Sequence, residues 1–297
     1  MRVLVTGAHG QLGRDLVDAF AGRIPEGGSE ELGCDLHGGR SAHEVVGLSH
    51  AALDVTDAKA LAAALDAHQP ELVVNAASWT AVDAAEADPE ACREVVVGGT
   101  ARLLEGCANA GAKLLTFSTD YVFDGEKATD YVEEDRVHPI NAYGAAKAEA
   151  EALVGNDGLT VRTSWLAGVH GSPTVLRALQ RVAGGQPVAF VDDQVGAFTA
   201  SADLAAGVVA LAATEAEGII HLANTGAVSW FELVTEAVRL AGLDGSLVSA
   251  TSTDQLDPQP AAARPARSVL ACPRAALLGI TLPGWQNGLA RLVAART

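Results

Sequence analysis

The sequence predicts an α/β protein with a doubly wound parallel sheet, and three observations support this fold class. Short β-branched runs alternate with Ala- and Leu-rich stretches as far as Ser164, which is typical of right-handed βαβ units. The apolar runs at 72–74 and 114–115 suit strands that are covered on both faces. The chain has 297 residues, of which 49% are hydrophobic, so it is long enough to bury one large core.

The elements of the first half follow in a regular order. β-Branched enrichment predicts strands at 3–5, 43–48, 72–75, 113–118 and 160–162. Longer Ala- and Leu-rich stretches predict helices at 11–20, 58–68, 89–110 and 142–154. The segment 22–42 holds six Gly without periodicity, so we predict a mobile surface insertion, with a lid as the alternative.

The regular alternation fades after Ser164. Residues 202–213 and 230–241 are typical of helices. Residues 168–173, 183–187 and the proline-containing stretch 254–267 are typical of loops. The second half is therefore predicted in less detail than the first.

Composition and charge restrict the partners of the protein. Twenty Lys and Arg residues against 37 Asp and Glu give a net charge of −17 at pH 7, which argues against nucleic acid and anionic membranes. The apolar runs are too short to span a bilayer. The four Cys residues form no Cys-x-x-Cys pair, so neither a metal site nor a disulfide framework is predicted. We expect a cytoplasmic protein without a metal.

A glycine-rich turn follows the first predicted strand. Residues 6–13 read Thr-Gly-Ala-His-Gly-Gln-Leu-Gly, and glycines at such positions let the backbone approach a pyrophosphate at a helix N-terminus. The turn therefore predicts an NAD(P)-binding Rossmann fold. A glycine triplet alone is a weak signal, and a purely structural turn is the alternative.

The end of the second predicted strand indicates the cofactor. An acidic residue there would bind a ribose 2′-hydroxyl and favour NAD, but the strand runs into Ser49 and His50. A hydroxyl and an imidazole tolerate a 2′-phosphate, which favours NADPH, while acceptance of NADH stays open. We expect Asp54 either to reach the adenine amino group or to cap the helix that begins at residue 58.

Tyr143 and Lys147 begin an Ala-rich helix, and their spacing places both side chains on one face. A tyrosine pKa near 10 is too high for acid–base work at neutral pH. We expect the Lys147 cation, together with an oxidised nicotinamide, to lower the pKa of Tyr143. Only three Tyr occur in the chain, so the pair is informative, and a solvated helix face is the alternative.

Thr119 lies at the C-terminal end of a predicted strand, where doubly wound sheets place their ligands. Its hydroxyl is a candidate to hydrogen-bond the carbonyl oxygen that Tyr143 protonates. The alternative for Ser118 and Thr119 is that they only cap the strand end.

Several motifs together resemble the dTDP-4-dehydrorhamnose reductase family of the extended short-chain dehydrogenase/reductase superfamily. The most specific is Ser-Thr-Asp-Tyr-Val-Phe-Asp-Gly at 118–125. Further matches occur in the expected order at 6–13, 75–83, 162–165, 193–196 and 264–270, so the resemblance covers nearly the whole chain. The chain departs from the family pattern at Trp79, Val96 and Phe198.

The resemblance implies site residues position by position. Thr119, Tyr143 and Lys147 match the catalytic triad. The predicted cofactor-binding set, which includes the turn and strand-end residues above, is Gly7, His9, Gly10, Gln11, Leu12, Gly13, Ser49, Asp54, Val55, Ala76, Ala77, Trp79, Tyr143 and Lys147. The predicted substrate-binding set is Thr119, Asp120, Tyr121, Trp165 and Arg264, the last because a guanidinium fork suits a diphosphate. A solvated surface position is the alternative for Arg264.

The resemblance also implies the architecture and the reaction. A dinucleotide-binding domain at 1–164, to which 189–224 returns, would face a smaller substrate lobe built from 165–188 and 225–297. The implied reaction is NADPH-dependent reduction of the C4 ketone of a dTDP-4-keto-6-deoxy sugar, foremost dTDP-4-dehydro-L-rhamnose. The alternatives are a related dTDP-ketosugar 4-reductase of deoxysugar or antibiotic biosynthesis, a nucleotide-sugar epimerase, and a non-catalytic cofactor-binding regulatory subunit. A homodimer stays open.

Overall fold

The computed structural model describes residues 1–23, 43–171 and 173–296. The predicted insertion at 22–42 falls outside the described residues from position 24 onward. The strands are β1 (Arg2–Thr6), β2 (Glu44–Leu48), β3 (Leu72–Asn75), β4 (Lys113–Thr119), β5 (Leu159–Thr163), β6 (Leu166–Ala167), β7 (Val188–Val191), β8 (Val195–Gly196), β9 (Thr199–Ala200), β10 (Gly218–His221), β11 (Val228–Ser229) and β12 (Val248–Thr251). The helices are α1 (Gln11–Phe20), α2 (Ala58–His68), α3 (Val82–Ala87), α4 (Pro89–Arg93), α5 (Gly99–Ala110), α6 (Ala142–Val154), α7 (Thr174–Ala183), α8 (Ser201–Ala212), α9 (Trp230–Leu240), α10 (Pro273–Leu277) and α11 (Trp285–Ala294).

A six-stranded parallel sheet forms the centre of the molecule, in the order β10-β5-β4-β3-β1-β2. All residues of β3 and β5 are buried, because helices cover both faces of the sheet. From β1 the chain first adds β2 on one side and then β3 on the other, so the strand order reverses between β1 and β3. Ligands bind at such switch points in doubly wound sheets. The predicted fold class is confirmed.

Helices pack on the two faces of this sheet through separate apolar clusters. On one face α1 packs against α8, and Leu16 and Leu204 are fully buried in that cluster. On the other face α2 packs against α5 through Leu61 and Leu103. Both interfaces follow from apolar residues at helical spacing along each helix.

A third apolar cluster lies beyond residue 164. It is built from α7, α9 and α11 with residues such as Leu176, Leu233 and Leu289. Short strand pairs accompany it: β7 with β12, β8 with β11, and β6 with β9. Between these elements α8 and β10 return to the large sheet, where β10 pairs with β5.

The predicted helix at 89–110 is interrupted. Asp88 caps α4, five residues at Glu94–Gly98 form a π-helical turn, and α5 follows. Such turns occur frequently at functional sites, and Val95 from this turn lines the cleft described below. Every residue of 89–110 is helical, as predicted, but the π-helical turn divides the stretch into α4 and α5.

Candidate active site

The glycine-rich turn forms a close-fitting cradle between β1 and β3. Gly7 has a φ of +64°, and a Cβ atom there would lie 2.6 Å from the Ala77 amide nitrogen. A Cβ atom on Gly13 would lie 2.2 Å from the Gly7 carbonyl oxygen. Both positions therefore require glycine, since real Cβ atoms do not approach backbone atoms so closely.

The N-terminus of α1 opens from this cradle. Among the described residues no side chain caps it, and its first turn contains no acidic residue. Its free amide groups and positive dipole end are suited to a phosphate. The side-chain nitrogen Nε2 of Gln11 donates to the Leu166 carbonyl oxygen at 3.1 Å, so the turn is tied to the chain beyond β5.

One cleft of about 1050 Å³ begins at this turn. It brings together most of the residues predicted from the sequence, namely Gly7, His9, Gly10, Gln11, Leu12, Gly13, Asp54, Val55, Ala76, Ala77, Trp79, Thr119, Asp120, Tyr121, Tyr143, Lys147 and Trp165. Ser49 is not among its described lining residues, whereas the neighbouring His50 is. The Ser49 carbonyl group accepts from the Leu53 amide, and it is the neighbouring His50 that faces the cleft, so binding of the cofactor by Ser49 stays a prediction.

The structure decides one of the two roles considered for Asp54, the capping of α2. The Asp54 carboxylate accepts hydrogen bonds from the Thr56 amide at 2.9 Å and the Thr56 hydroxyl at 2.7 Å. These bonds hold the pKa of Asp54 below its usual range. The helix cap of α2 is instead Asp57, which accepts from Lys59 and Ala60. Asp54 thus stays in the cleft as an ionised acceptor.

Helix α6, which carries Tyr143 and Lys147, begins at a side-chain cap. The Asn141 side-chain oxygen accepts from the Gly144 amide at 2.7 Å. A Cβ atom on Gly144 would lie 2.1 Å from the Tyr121 carbonyl oxygen, so glycine permits the first turn to press against residue 121. This packing fixes Tyr143, whose ring lies 6.2 Å from the Tyr121 ring in an edge-to-face arrangement.

Tyr143 and Lys147 share one face of α6, as expected. The Lys147 Nζ atom lies 5.9 Å from the Tyr143 ring centroid and donates to the Phe117 carbonyl oxygen at 2.9 Å. Burial lowers the pKa of Lys147 to about 8.

In the chain by itself, the pKa of Tyr143 shifts in the direction opposite to the one expected with Lys147 and an oxidised nicotinamide. Burial, followed by the nearby Asp120, raises the pKa of Tyr143 instead of lowering it. The physical reason is that the loss of water around a buried phenolate outweighs an ammonium that lies beside the ring and donates to Phe117. Tyr143 is therefore protonated at neutral pH.

Thr119 and Asp120 form a buried pair of polar side chains beside Tyr143. The Thr119 hydroxyl accepts from the Tyr121 amide at 3.2 Å, so it caps the short 3₁₀ turn at Asp120–Val122, and it is hydrogen-bonded to the Asp120 carboxyl group at 3.1 Å. Asp120 also accepts from the Ser268 hydroxyl. Burial raises the pKa of Asp120 to about 6, against the lowering effect of these hydroxyl groups.

Aromatic side chains line the other end of the cleft. Trp165 stacks on Trp230 with ring centroids 4.3 Å apart. Trp165 has a φ of +42°, a conformation that costs energy in residues with a side chain and that clusters at functional sites. The sequence analysis missed Trp230, because its position against Trp165 depends on the packing of α9 and has no local signal.

Arg264 does not line the cleft as the described residues define it. Its guanidinium group forms a bidentate ion pair with Asp83, at 2.6 and 2.9 Å. The alternative of a solvated surface position is wrong, since only 17% of the Arg264 side chain is exposed. Binding of the substrate by Arg264 stays a prediction. Asp83, which the sequence analysis did not single out as a site residue, carries no local signal of this distant contact.

Metal binding and membrane insertion have no counterpart in the part of the chain that the structure describes. There, no group of three or more His, Cys, Asp or Glu side chains could hold a metal ion. The same residues include no helix with the length and hydropathy that a bilayer span requires.

The chain is similar in sequence and in structure to several proteins that are named as reductases. The chain is 38% identical over 278 residues to a dTDP-4-dehydrorhamnose reductase from Streptomyces griseus, covering 91% of this chain and 85% of the relative. It is 36% identical over 259 residues to a dTDP-4-keto-6-deoxy-D-glucose reductase from Streptomyces niveus, with 86% and 84% covered. A crystal structure of the Bacillus anthracis dTDP-4-dehydrorhamnose reductase in complex with NADP is similar at a TM-score of 0.87 and 31% identity, with 99% of both chains covered.

The family model of the RmlD substrate binding domain matches residues 1–297. The cradle, the Tyr143–Lys147 pair and the relatives therefore agree with one another. The chain belongs to the RmlD substrate binding domain family.

Proposed function

We propose that this chain is an NADPH-dependent oxidoreductase that reduces the C4 ketone of a dTDP-4-keto-6-deoxy sugar, with dTDP-4-dehydro-L-rhamnose as its substrate. The observation that carries the proposal is one cleft in which Thr119, Tyr143 and Lys147 lie beside the glycine cradle. The named reductases from both Streptomyces species and the NADP complex from Bacillus anthracis support the same reaction class.

The residues of the cradle fit a dinucleotide. The uncapped start of α1 and the glycines at 7 and 13 would hold the pyrophosphate. Asp54 and Val55 would contact the adenine, and His50 would replace Ser49 as the partner of a 2′-phosphate. NADPH, when bound there, supplies a hydride. Use of NADH in its place remains a matter for measurement.

Tyr143 is the proton donor in this proposal. Reduction of a ketone leaves an alkoxide that needs a proton, and the raised pKa of Tyr143 keeps its hydroxyl protonated until that moment. Lys147 has three N–H groups, of which the Phe117 carbonyl takes one. The remaining donors are available for a ribose hydroxyl and for the charge that develops on Tyr143.

Thr119 would hold the carbonyl oxygen of the sugar, and Asp120 decides whether its proton is free to do so. A threonine hydroxyl has one hydrogen. When Asp120 is ionised, that hydrogen points to the carboxylate. When Asp120 is protonated, its own O–H donates to Thr119, and the Thr119 hydrogen is released toward the substrate carbonyl.

The same proposal assigns each ligand to a part of the chain. Residues 1–164 with 189–224 would bind the dinucleotide, and 165–188 with 225–297 would bind the sugar nucleotide. The strand β7 (Val188–Val191) pairs with β12 rather than with the large sheet, so we move the boundary at 189 and place 189–191 with the sugar lobe. A cytoplasmic location and a homodimer remain predictions.

The test is to incubate the purified protein with NADPH and a panel of dTDP-4-ketosugars, and to determine the C4 configuration of each product. We expect NADPH consumption with dTDP-4-dehydro-L-rhamnose and dTDP-L-rhamnose as the product. Preference for another ketosugar of the panel would select a related 4-reductase of deoxysugar biosynthesis. Copurified NAD with no net NADPH consumption would select an epimerase, and the absence of turnover throughout would select a regulatory subunit.

A further inference from the structure

Asp83 accepts three hydrogen bonds from Ala262 and Arg264 in the C-terminal part of the chain, and the function proposed above uses none of them. It lies in the first turn of α3. One of its oxygens accepts from the Ala262 amide at 3.0 Å and from Arg264 at 2.6 Å, and the other accepts from Arg264 at 2.9 Å. These bonds hold the pKa of Asp83 down at about 2, so the carboxylate is charged throughout the neutral range.

These contacts tie down a segment at 261–265, which we call the strap. A further hydrogen bond joins the strap to the cap of α6. The side-chain nitrogen Nδ2 of Asn141 donates to the Ala263 carbonyl oxygen at 2.9 Å. A third contact is steric, because a Cβ atom on Gly125 would lie 2.6 Å from Pro265. The strap is therefore anchored on α3, on the cap of α6 and on the turn that follows Tyr121.

Arg264 connects the strap to the substrate end of the cleft. Three of its five N–H groups are engaged by Asp83 and by the Ala262 carbonyl oxygen. The guanidinium also interacts with the Tyr121 hydroxyl, which partly offsets the rise in the pKa of Tyr121 that burial causes. Arg264 thus lies beside the Tyr121 phenol, and because a guanidinium has no acceptor, the Tyr121 hydrogen is left for another group.

That hydrogen is free to serve a ligand in the cleft. Tyr121 lines the cleft beside Tyr143, and its backbone abuts the first turn of α6 at Gly144. The Asp83 carboxylate accepts from both terminal nitrogens of Arg264, which fixes the plane of the guanidinium group. The ion pair consequently keeps a group without acceptors beside the Tyr121 phenol, so that its hydrogen is available to the cleft.

We propose that Asp83 is a positioning residue for substrate, which holds Arg264 and the strap so that Tyr121 donates its hydroxyl hydrogen to an oxygen of the sugar nucleotide. This inference rests on the proposed function for the identity of that ligand. Asp83 acts at the substrate end alone, because its contacts lie on α3, the strap and Arg264 rather than on the glycine cradle.

Steady-state kinetics of Asp83→Asn test the proposal. We expect KM for the ketosugar to rise about tenfold, the loss of one charge-assisted hydrogen bond, while kcat changes less than threefold and the Kd of NADPH stays the same. Arg264→Gln should do the same, and the double variant should be no worse than either single one. Glu236→Gln, which breaks an ion pair between two residues that do not line the cleft, is the matched control and should leave all three quantities unchanged.

Hydrogen exchange supplies a readout that does not depend on turnover. We expect the amides of 261–265 to exchange faster in Asp83→Asn than in the wild type and in Glu236→Gln, because Ala262 loses its acceptor. A wild type without ketosugar turnover would contradict the proposed function, whereas unchanged strap exchange would overturn the present proposal. An active Asp83→Asn protein with wild-type KM, or with equal losses in NADPH and ketosugar binding, would overturn it as well.

Discussion

Gly13 shows at the scale of one residue how little space the cofactor cradle leaves. A Cβ atom at this position would meet the Gly7 carbonyl oxygen at 2.2 Å and the Ala8 Cα atom at 2.8 Å. Both are backbone atoms, so the turn itself would have to move. An added methyl group at Gly13 is therefore expected to displace the turn that receives the pyrophosphate.

We predict that Gly13→Ala weakens NADPH binding at least tenfold, measured by titration of the purified protein. The reason is the displaced turn, and an overpacked site of this kind typically costs about 1–3 kcal/mol. Gly245→Ala is the control, since a Cβ atom there meets nothing within 4 Å. NADPH binding by Gly13→Ala at wild-type affinity would show that the cradle does not hold the cofactor.

Asp120 should give the enzyme a pH dependence through its partner Thr119. As the pH rises through about 6, the Asp120 carboxyl group ionises and takes the Thr119 hydrogen. We expect kcat/KM for the ketosugar to fall across this range in the wild type. Asp120→Asn carries an amide that donates at every pH, so its kcat/KM should stay level there. A parallel decline in both proteins would exclude Asp120 as the group that titrates.

Asn141 matters at the scale of an element, because it caps the helix that carries Tyr143 and Lys147. We predict that Asn141→Ala lowers the free energy of unfolding by about 1–2 kcal/mol, the usual cost of a lost N-cap, and also lowers kcat. Denaturant unfolding and steady-state kinetics measure the two effects. Asp57→Ala removes the cap of α2, and we expect a similar loss of stability with unchanged kcat. Equal kinetic effects of both variants would contradict a specific role for Asn141.

Elements differ in how well the sequence predicts them. β1, α1 and the catalytic helix α6 were predicted nearly to the residue, because their apolar spacing and flanking glycines are local signals. The two-residue strands β6, β8, β9 and β11 have no such signal, since tertiary packing alone pairs them. The helix α7 does carry an amphipathic pattern, with Val175, Leu176 and Leu179 buried, and it was overlooked.

The residues of the candidate site also differ in how well the sequence predicts them. Residues within continuous motifs, such as Thr119 or the glycine turn, were predicted and lie in the cleft. Contacts between distant segments, such as Asp83 with Arg264 or Trp165 with Trp230, depend on the assembled fold. Burial produced the raised pKa of Tyr143, and spacing along a helix does not reveal burial.

At the scale of the whole molecule, one buried histidine should limit stability in acid. His221 lies in β10 between the Ala271 carbonyl oxygen and the guanidinium of Arg162. Burial, followed by Arg162, lowers the pKa of His221 to about 3. Between this pH and the usual histidine pKa the unfolded chain binds a proton that the folded chain does not, so stability is lost as the pH falls below about 6.5.

We predict that His221→Gln loses less stability than the wild type between pH 7 and pH 4, because the amide keeps a donor and an acceptor but does not titrate. Thermal unfolding at a series of pH values measures this difference. His138→Gln, at a side chain that is 72% exposed, should retain the wild-type acid sensitivity. If His221→Gln and the wild type lost stability in parallel, another group would control the acid limit.

Tyr143 connects the fold, the buried site and the proposed chemistry. The switch point of the doubly wound sheet lies beside the glycine cradle, and the Tyr143 phenol on α6 lines the same cleft. Burial raises the pKa of this phenol and so keeps it protonated. A phenylalanine at 143 would preserve the packing and remove only the proton donor.

The most direct measurement is the rate of NADPH oxidation by wild-type and Tyr143→Phe protein with dTDP-4-dehydro-L-rhamnose. Loss of a general acid typically costs about 10²- to 10⁴-fold, so we expect kcat of the variant to fall by that factor while the Kd of NADPH is unchanged. Oxidation of NADPH by Tyr143→Phe at the wild-type rate would contradict the assignment of Tyr143 as the proton donor.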